Sequence, residues 1–169
     1  MKKISLVFFA LLTITLAGKS QNANFKVSVG AELGFPTGNF SSTHSLGIGA
    51  TGQVEFPVQE HLNTTITGGI LFYNGKSIPG ASGTKYSGIN IIPLRVGLKN
   101  FFTTGFYGAA QVGVGFINQG IGTAFAYSPQ LGYEFDSKDG KSFDIAIKYD
   151  GYAKSGGLGV FGIRVAKVL

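Results

Sequence analysis

The sequence predicts an all-β fold: an eight-stranded antiparallel up-and-down transmembrane β-barrel, preceded by a cleaved signal peptide. Three observations carry this. Apolar and polar residues alternate through eight segments, the period of a strand with two unlike faces. The bulky residues lie on the apolar face, and the other face is small, polar and charged. Phenylalanines recur ten residues apart within strands, the spacing expected of the two aromatic girdles of a membrane barrel.

Composition sets the bounds. A length of 169 residues suits one domain. Charged residues make up 13% and hydrophobic ones 44%, so the low charge, about half that of an ordinary globular chain, is not a sign of disorder. Glycine supplies 27 residues, more than twice its usual share of ~7%. With no cysteine, a disulfide scaffold, a thiolate metal site, a Cys nucleophile and a lipid-modified N-terminal Cys are excluded. Two histidines argue against a multi-His metal site, and no cofactor is expected.

Residues 1–20 read as a signal peptide and 21–169 as the barrel domain. Met1-Lys2-Lys3 is a short basic start, Ile4 to Gly18 is uncharged and apolar, and Lys19-Ser20-Gln21-Asn22 turns polar. The apolar run is too short for a membrane anchor. Loss of Lys2, Lys3 and Lys19 lowers the formal charge from +6 to +3, so no nucleic-acid partner is inferred from it.

Strands are expected at about 25–34, 45–56, 62–73, 85–98, 104–117, 122–135, 142–152 and 158–169. In the first, Phe25, Val27, Val29, Ala31 and Leu33 share one face and Lys26, Ser28, Gly30, Glu32 and Gly34 the other. Asn39–Ser45, Asn74–Thr84 and Ala153–Gly157 read as loops; Pro57–Glu60, Lys99–Asn100 and Asp136–Gly140 read as tight turns.

The apolar face must point outward. An eight-stranded lumen is only just wide enough for its own side chains, and could not hold this many Phe, Ile, Leu and Val residues. The glycine-rich face would also make a poor soluble surface. With the faces inverted relative to a soluble barrel, the large residues meet lipid, and a closed barrel satisfies its backbone in a bilayer. Phe25 and Phe35, Phe106 and Phe116, and Phe125 and Phe135 are the ten-residue pairs. Phe56, Phe106, Phe135 and Phe143 are expected in a periplasmic ring; Phe72, Tyr86, Phe116, Phe125, Tyr149 and Phe161 near the outer one.

Hairpin registers are expected with Phe135 opposite Phe143, which sets Glu134 by Asp144 and Gln130 by Lys148. A second is expected with Leu98 opposite Phe106, which sets Arg95 on Ala109. Pro93 and Pro129 fall inside strands with no free edge, which requires a bulge or a broken ladder bond.

Asn90-Ile-Ile-Pro-Leu-Arg-Val-Gly-Leu-Lys99, with the Gly-rich Gly105–Phe116 segment after it, resembles the fourth and fifth strands of PorT-like outer-membrane barrels. Phe125-Ala-Tyr-Ser-Pro-Gln-Leu-Gly-Tyr-Glu-Phe135 resembles their sixth. The resemblance implies a small outer-membrane barrel; most members have no assigned role, and the named one serves protein secretion. Such chains often end in an aromatic residue, whereas this one ends Ala166-Lys-Val-Leu169.

The inward charges Glu32, Glu55, Arg95, Glu134, Asp144, Lys148 and Arg164 are expected to form a mutually neutralising network of structural role. Ser42, His44, Ser45 and Asp150 are the only residues that suggest hydrolytic chemistry, and nothing in the sequence orients a His–Ser pair. Gly113-Val-Gly115 and Gly156-Gly-Leu-Gly159 precede no helix, so they are not phosphate loops. The expectation is a non-enzymatic outer-membrane protein, with both termini periplasmic and loops 35–44, 74–84, 118–121 and 153–157 outside. Its role would be structural, adhesive or partner-docking, with outer-membrane lipid around it. The alternatives are an accessory component of a secretion or envelope complex and a lipid-modifying enzyme.

Overall fold

The computed structural model describes residues 25–81, 83–136, 142–154 and 156–169. The expected signal peptide, and most of the turn expected at Asp136–Gly140, lie outside the described residues. Eight strands follow in chain order: β1 (Lys26–Thr37), β2 (His44–Gln59), β3 (Leu62–Gly75), β4 (Ile89–Phe101), β5 (Phe106–Ile117), β6 (Gly122–Asp136), β7 (Ser142–Ala153) and β8 (Leu158–Val168). Each pairs antiparallel with its neighbour, and β8 returns to β1, closing the barrel. Closure leaves no unpaired sheet edge, which is what a bilayer demands of strands.

The alternation resolves as anticipated. Val29, Ile48, Leu94, Val112, Leu131, Ile147 and Val165 point out and are exposed, while Glu32, Thr51, Thr67, Arg95, Gln111, Lys148 and Arg164 point in and are buried. The core of this molecule is its lumen.

Several boundaries differ from the sequence reading. The segment expected as loop 39–45 contains a single helical turn, α1 (Gly38–Thr43), and β2 begins at His44. Phe40 drives this turn, because it is the one α1 residue buried against the barrel interior. β4 starts at Ile89 rather than at 85, and the preceding loop carries only a short Ser77–Lys85 bridge. β2 runs on through Pro57 to Gln59, with a register irregularity between them.

The largest correction concerns Lys99–Asn100. These residues are not a turn but belong to β4, and the turn lies at 102–105, where Gly105 takes φ 87° and Phe102 N–H donates to Phe106 O at 2.9 Å. The β4–β5 register therefore differs by four residues from the expected one: Leu98 faces Ala110, Arg95 faces Gly113 and Phe101 faces Tyr107. An even-numbered shift keeps every side chain on its own face, so the apolar pattern could not tell the two registers apart. The β6–β7 register is the expected one, with Phe135 on Phe143, Glu134 on Asp144 and Gln130 on Lys148.

Both interior prolines break ladder bonds without bulges. Pairing between β3 and β4 lapses between Gly68↔Leu94 and Leu71↔Ile91, around Pro93, and resumes in the same register. Between β6 and β7 it lapses beside Pro129, between Tyr127↔Gly151 and Gln130↔Lys148. A proline has no N–H for one neighbour, and each retains its pairing on the other side.

Candidate functional site

The lumen is stacked in three layers between two rims. Call the end with Phe25, Leu169 and the short turns the terminus end, and the end with α1 and loop 76–88 the loop end.

Nearest the terminus end, Lys99 is the hub of an ionic cluster. Its Nζ lies 2.8 Å from Glu55 Oε1, 3.0 Å from Glu134 Oε2 and 3.2 Å from Asp144 Oδ2. It also stands 4.1 Å from the Tyr107 ring centroid and 5.0 Å from that of Phe101, so two aromatic faces share the cation. Glu134 takes a second partner, Lys26 at the rim, at 2.5 Å. Gln53 and Asn63 donate side-chain hydrogen bonds to the two Glu55 oxygens.

Further toward the loop end is a second cluster. Lys148 Nζ bridges Glu32 at 2.5 Å and Asp150 at 3.0 Å, and Arg95 donates to Asp150 at 2.5 Å. Arg164 joins the clusters, with Nη1 3.2 Å from Asp144 and Nε 3.1 Å from Thr51 Oγ1, while Thr51 itself donates to Glu32. Beside them Gln111 reaches from β5 to Thr65 and Thr67 on β3 and Gln53 on β2.

Five carboxylates (Glu32, Glu55, Glu134, Asp144, Asp150) thus meet five cations (Lys26, Arg95, Lys99, Lys148, Arg164). The equality matters because an uncompensated charge in a narrow, low-dielectric lumen is costly. All seven residues singled out from the sequence lie in this assembly. Lys26, Lys99 and Asp150 complete it and were not among them. Lys99 falls in a turn expected from the sequence, although the alternation Arg95, Gly97, Lys99 puts it on the inward face. Asp150, grouped by sequence with Ser42, His44 and Ser45, belongs instead to the charge network.

Above the charges, the loop end of the lumen is apolar, which the sequence reading did not anticipate. Phe40, Leu71, Tyr73, Ile89, Ile91, Ile117, Tyr152 and Val160 form one buried cluster. They come from the last inward positions of several strands, and α1 delivers Phe40 onto Tyr73, ring centroids 5.2 Å apart.

The residues that suggested hydrolysis are not assembled. Asp150 is held by Arg95 and Lys148. His44 is buried, with Nδ1 2.8 Å from Thr43 Oγ1 and Nε2 3.1 Å from the Ser87 carbonyl. A carbonyl only accepts, so Nε2 carries a proton and donates to it. Ser45 Oγ donates to the Asn74 carbonyl. At the terminus end an open vestibule of about 820 Å³ is floored by Lys26, Glu134 and Asn63 and walled by Glu60, His61 and Thr104.

An apolar outer wall, a lumen filled by its own side chains and full closure define a small eight-stranded transmembrane β-barrel. Solved structures agree on the fold. Neisserial surface protein A superposes with a TM-score of 0.60 at 12% identity, over 88% of this chain and 97% of that one. The attachment invasion locus protein Ail of Yersinia pestis, in complex with the heparin analogue sucrose octasulfate, gives 0.58 at 9%, over 88% and 100%. A barrel from the de novo design of transmembrane β-barrels gives 0.52 at 12%, over 85% and 95%. No family model matches the sequence, and no curated protein does.

Proposed function

We propose that this protein is a non-enzymatic integral protein of the bacterial outer membrane, with both termini periplasmic, whose loop end serves adhesion or partner docking. One observation carries the reading: the lumen is occupied along its length by its own ion pairs, glutamine and apolar side chains, so binding work falls to the rims. The orientation follows from loop length. Outer-membrane barrels keep short turns on the periplasmic side and longer loops outside, and here loop 76–88 lies opposite the termini. Neighbours of the same fold include a protein named for attachment and invasion and a surface protein, which supports a surface role.

A second reading is an accessory component of a secretion complex. It is favoured by the PorT-like segments 90–99 and 125–135 and by the open vestibule, which would face the periplasm. Cross-linking in intact cells, then solubilisation and identification of the captured proteins, separates the two. Reproducible recovery of envelope export components supports the second; their absence, with loop-dependent adhesion of whole cells, supports the first.

A further inference from the structure

We infer that the loop end carries a collar of lysines that binds the anionic phosphate groups of the lipid headgroups around it. This goes beyond the docking role proposed above and rests only on the barrel spanning a bilayer.

The charge of the chain is sorted along the barrel axis. Inside, five carboxylates meet five cations. At the terminus end, Glu60 of the β2–β3 turn is matched by Lys167 near the end of β8. The connection from β6 to β7 holds, by sequence, Asp136 and Asp139 against Lys138 and Lys141. Without Lys2, Lys3 and Lys19 the formal charge of +6 falls to +3, and all of it lies at the loop end, on Lys76, Lys85 and Lys154. Segments 34–47, 73–91, 116–125 and 151–160, which make up that end, contain no aspartate or glutamate. An ordinary solvated surface mixes the two signs. Here one end is neutral and the other purely cationic.

The height of the lysines selects a lipid partner. Tyr86 N–H donates to the Lys76 carbonyl at 2.9 Å, and Lys85 immediately precedes Tyr86. Lys154 follows Ala153, which pairs with Phe125. Tyr86 and Phe125 are exposed aromatics of the outer girdle, so the three lysines stand at the level where such a belt meets headgroups. The parts that reach further are uncharged: the loop tip from Ile78 to Thr84, and all of α1. A soluble polyanion approaching those tips would meet no charge first, whereas a headgroup beside the girdle meets the lysines directly.

Two of the heads are held in place. Lys76 Nζ donates to the Ser41 carbonyl at 2.6 Å, and Lys154 Nζ donates to the Ile121 carbonyl. An ammonium has three N–H donors, so each keeps two for phosphate oxygens, a charge-assisted bond. With no carboxylate at this end, no internal anion competes for them.

The chain has no tryptophan, so an introduced indole reports the lipid beside it. Tyr86→Trp places one next to Lys76 and Lys85. Phe106→Trp places one in the terminus-end girdle, within the uncharged stretch 100–110. Each variant is reconstituted in phosphatidylcholine vesicles with either brominated phosphatidic acid or brominated phosphatidylcholine as quencher, and the ratio of quenching gives the local preference. At Tyr86→Trp phosphatidic acid should be preferred, by up to about fivefold for each lysine. The preference should fade as salt rises from ~0.1 to ~1 M and the screening length shortens from ~10 to ~3 Å. Lys85→Gln on that background should lower it, and Lys76→Gln with Lys85→Gln should bring it close to one. Phe106→Trp should show none. Equal preference at the two indoles overturns the inference, as does a preference unchanged by the lysine substitutions in protein of unaltered heat-modifiable mobility. Binding of soluble polyphosphate without any lipid preference overturns it too. The readout does not depend on which leaflet the loop end faces, so it stands or falls apart from the adhesion reading.

Discussion

Tyr73 on β3 stands directly opposite Gly47 on β2, and its ring fills the space above that glycine. A Cβ on Gly47 would lie 2.3 Å from Tyr73 Cε1 and 2.4 Å from Cδ1. The same relation recurs at Tyr107 over Gly132 and at Tyr127 over Gly151, each a directly paired position. An aromatic ring laid over a strand glycine covers backbone that would otherwise be bare. Part of the glycine content thus has a specific cause.

Gly47→Ala should therefore destabilise the barrel by about 1–3 kcal/mol, the range for overpacking. Tyr73 would have to leave both Gly47 and its edge contact with Phe40, loosening the apolar end of the lumen. Combining Gly47→Ala with Tyr73→Leu should cost less than the two single effects added. Urea-unfolding midpoints in detergent micelles measure this, and strict additivity would show that the ring and the glycine are independent.

Lys99→Met should be among the most damaging single substitutions. It leaves Glu55, Glu134 and Asp144 facing one another with fewer cations, and removing one partner of a buried ion pair costs about 3–5 kcal/mol. Lys26→Met, at a rim position whose side chain is 45% exposed, should cost far less. Equal loss of folded, heat-modifiable protein in the two variants would contradict the hub role of Lys99.

Ile145→Arg, on the outward face, should hinder folding by roughly 2–4 kcal/mol near the bilayer midplane and less near an interface. Thr67→Ser, inside the lumen, should be mild. Folding yields into lipid vesicles compare them; equal tolerance would mean that the apolar face does not meet lipid.

The purified barrel should form no stable ion-conducting pore. Eight strands enclose little beyond their own side chains, and here paired charges and the apolar cluster around Ile91 and Tyr152 occupy that space in series. Planar-bilayer recording tests this. Reproducible long-lived steps of fixed size would show an open lumen and move the function toward transport, with Arg95 and Lys148 the first residues to change.

The protein should fractionate with the outer membrane, and protease added to intact cells should cut only at the loop end, most readily in loop 76–88, an exposed tip with Gly80 and Gly83 at positive φ. Release by osmotic shock, or cleavage of intact cells at the 102–105 turn, would overturn the location or the orientation.

What the sequence determined by itself was the strand count, the alternation of faces and the outward direction of the bulky one. Each depends on a local period of two and on the volume available inside eight strands, both of which a single chain displays. It also held the inward charges from Glu32 to Arg164, because side-chain parity is a local property. Only the tertiary structure decided which of them meet. Lys99 joined Glu55, Glu134 and Asp144 from three other strands because β4 runs three residues past its expected end, to Phe101, and two registers four residues apart obey the same pattern of faces. Asp150 is held by Lys148, two residues away on β7, and by Arg95, which closure brings to it across the lumen from β4. The apolar layer at the loop end was likewise invisible to alternation. Leu71, Ile91 and Val160 sit on the inward parity that the period marks as polar, and they are stable there because closure brings them, with Phe40 of α1, against one another instead of against water.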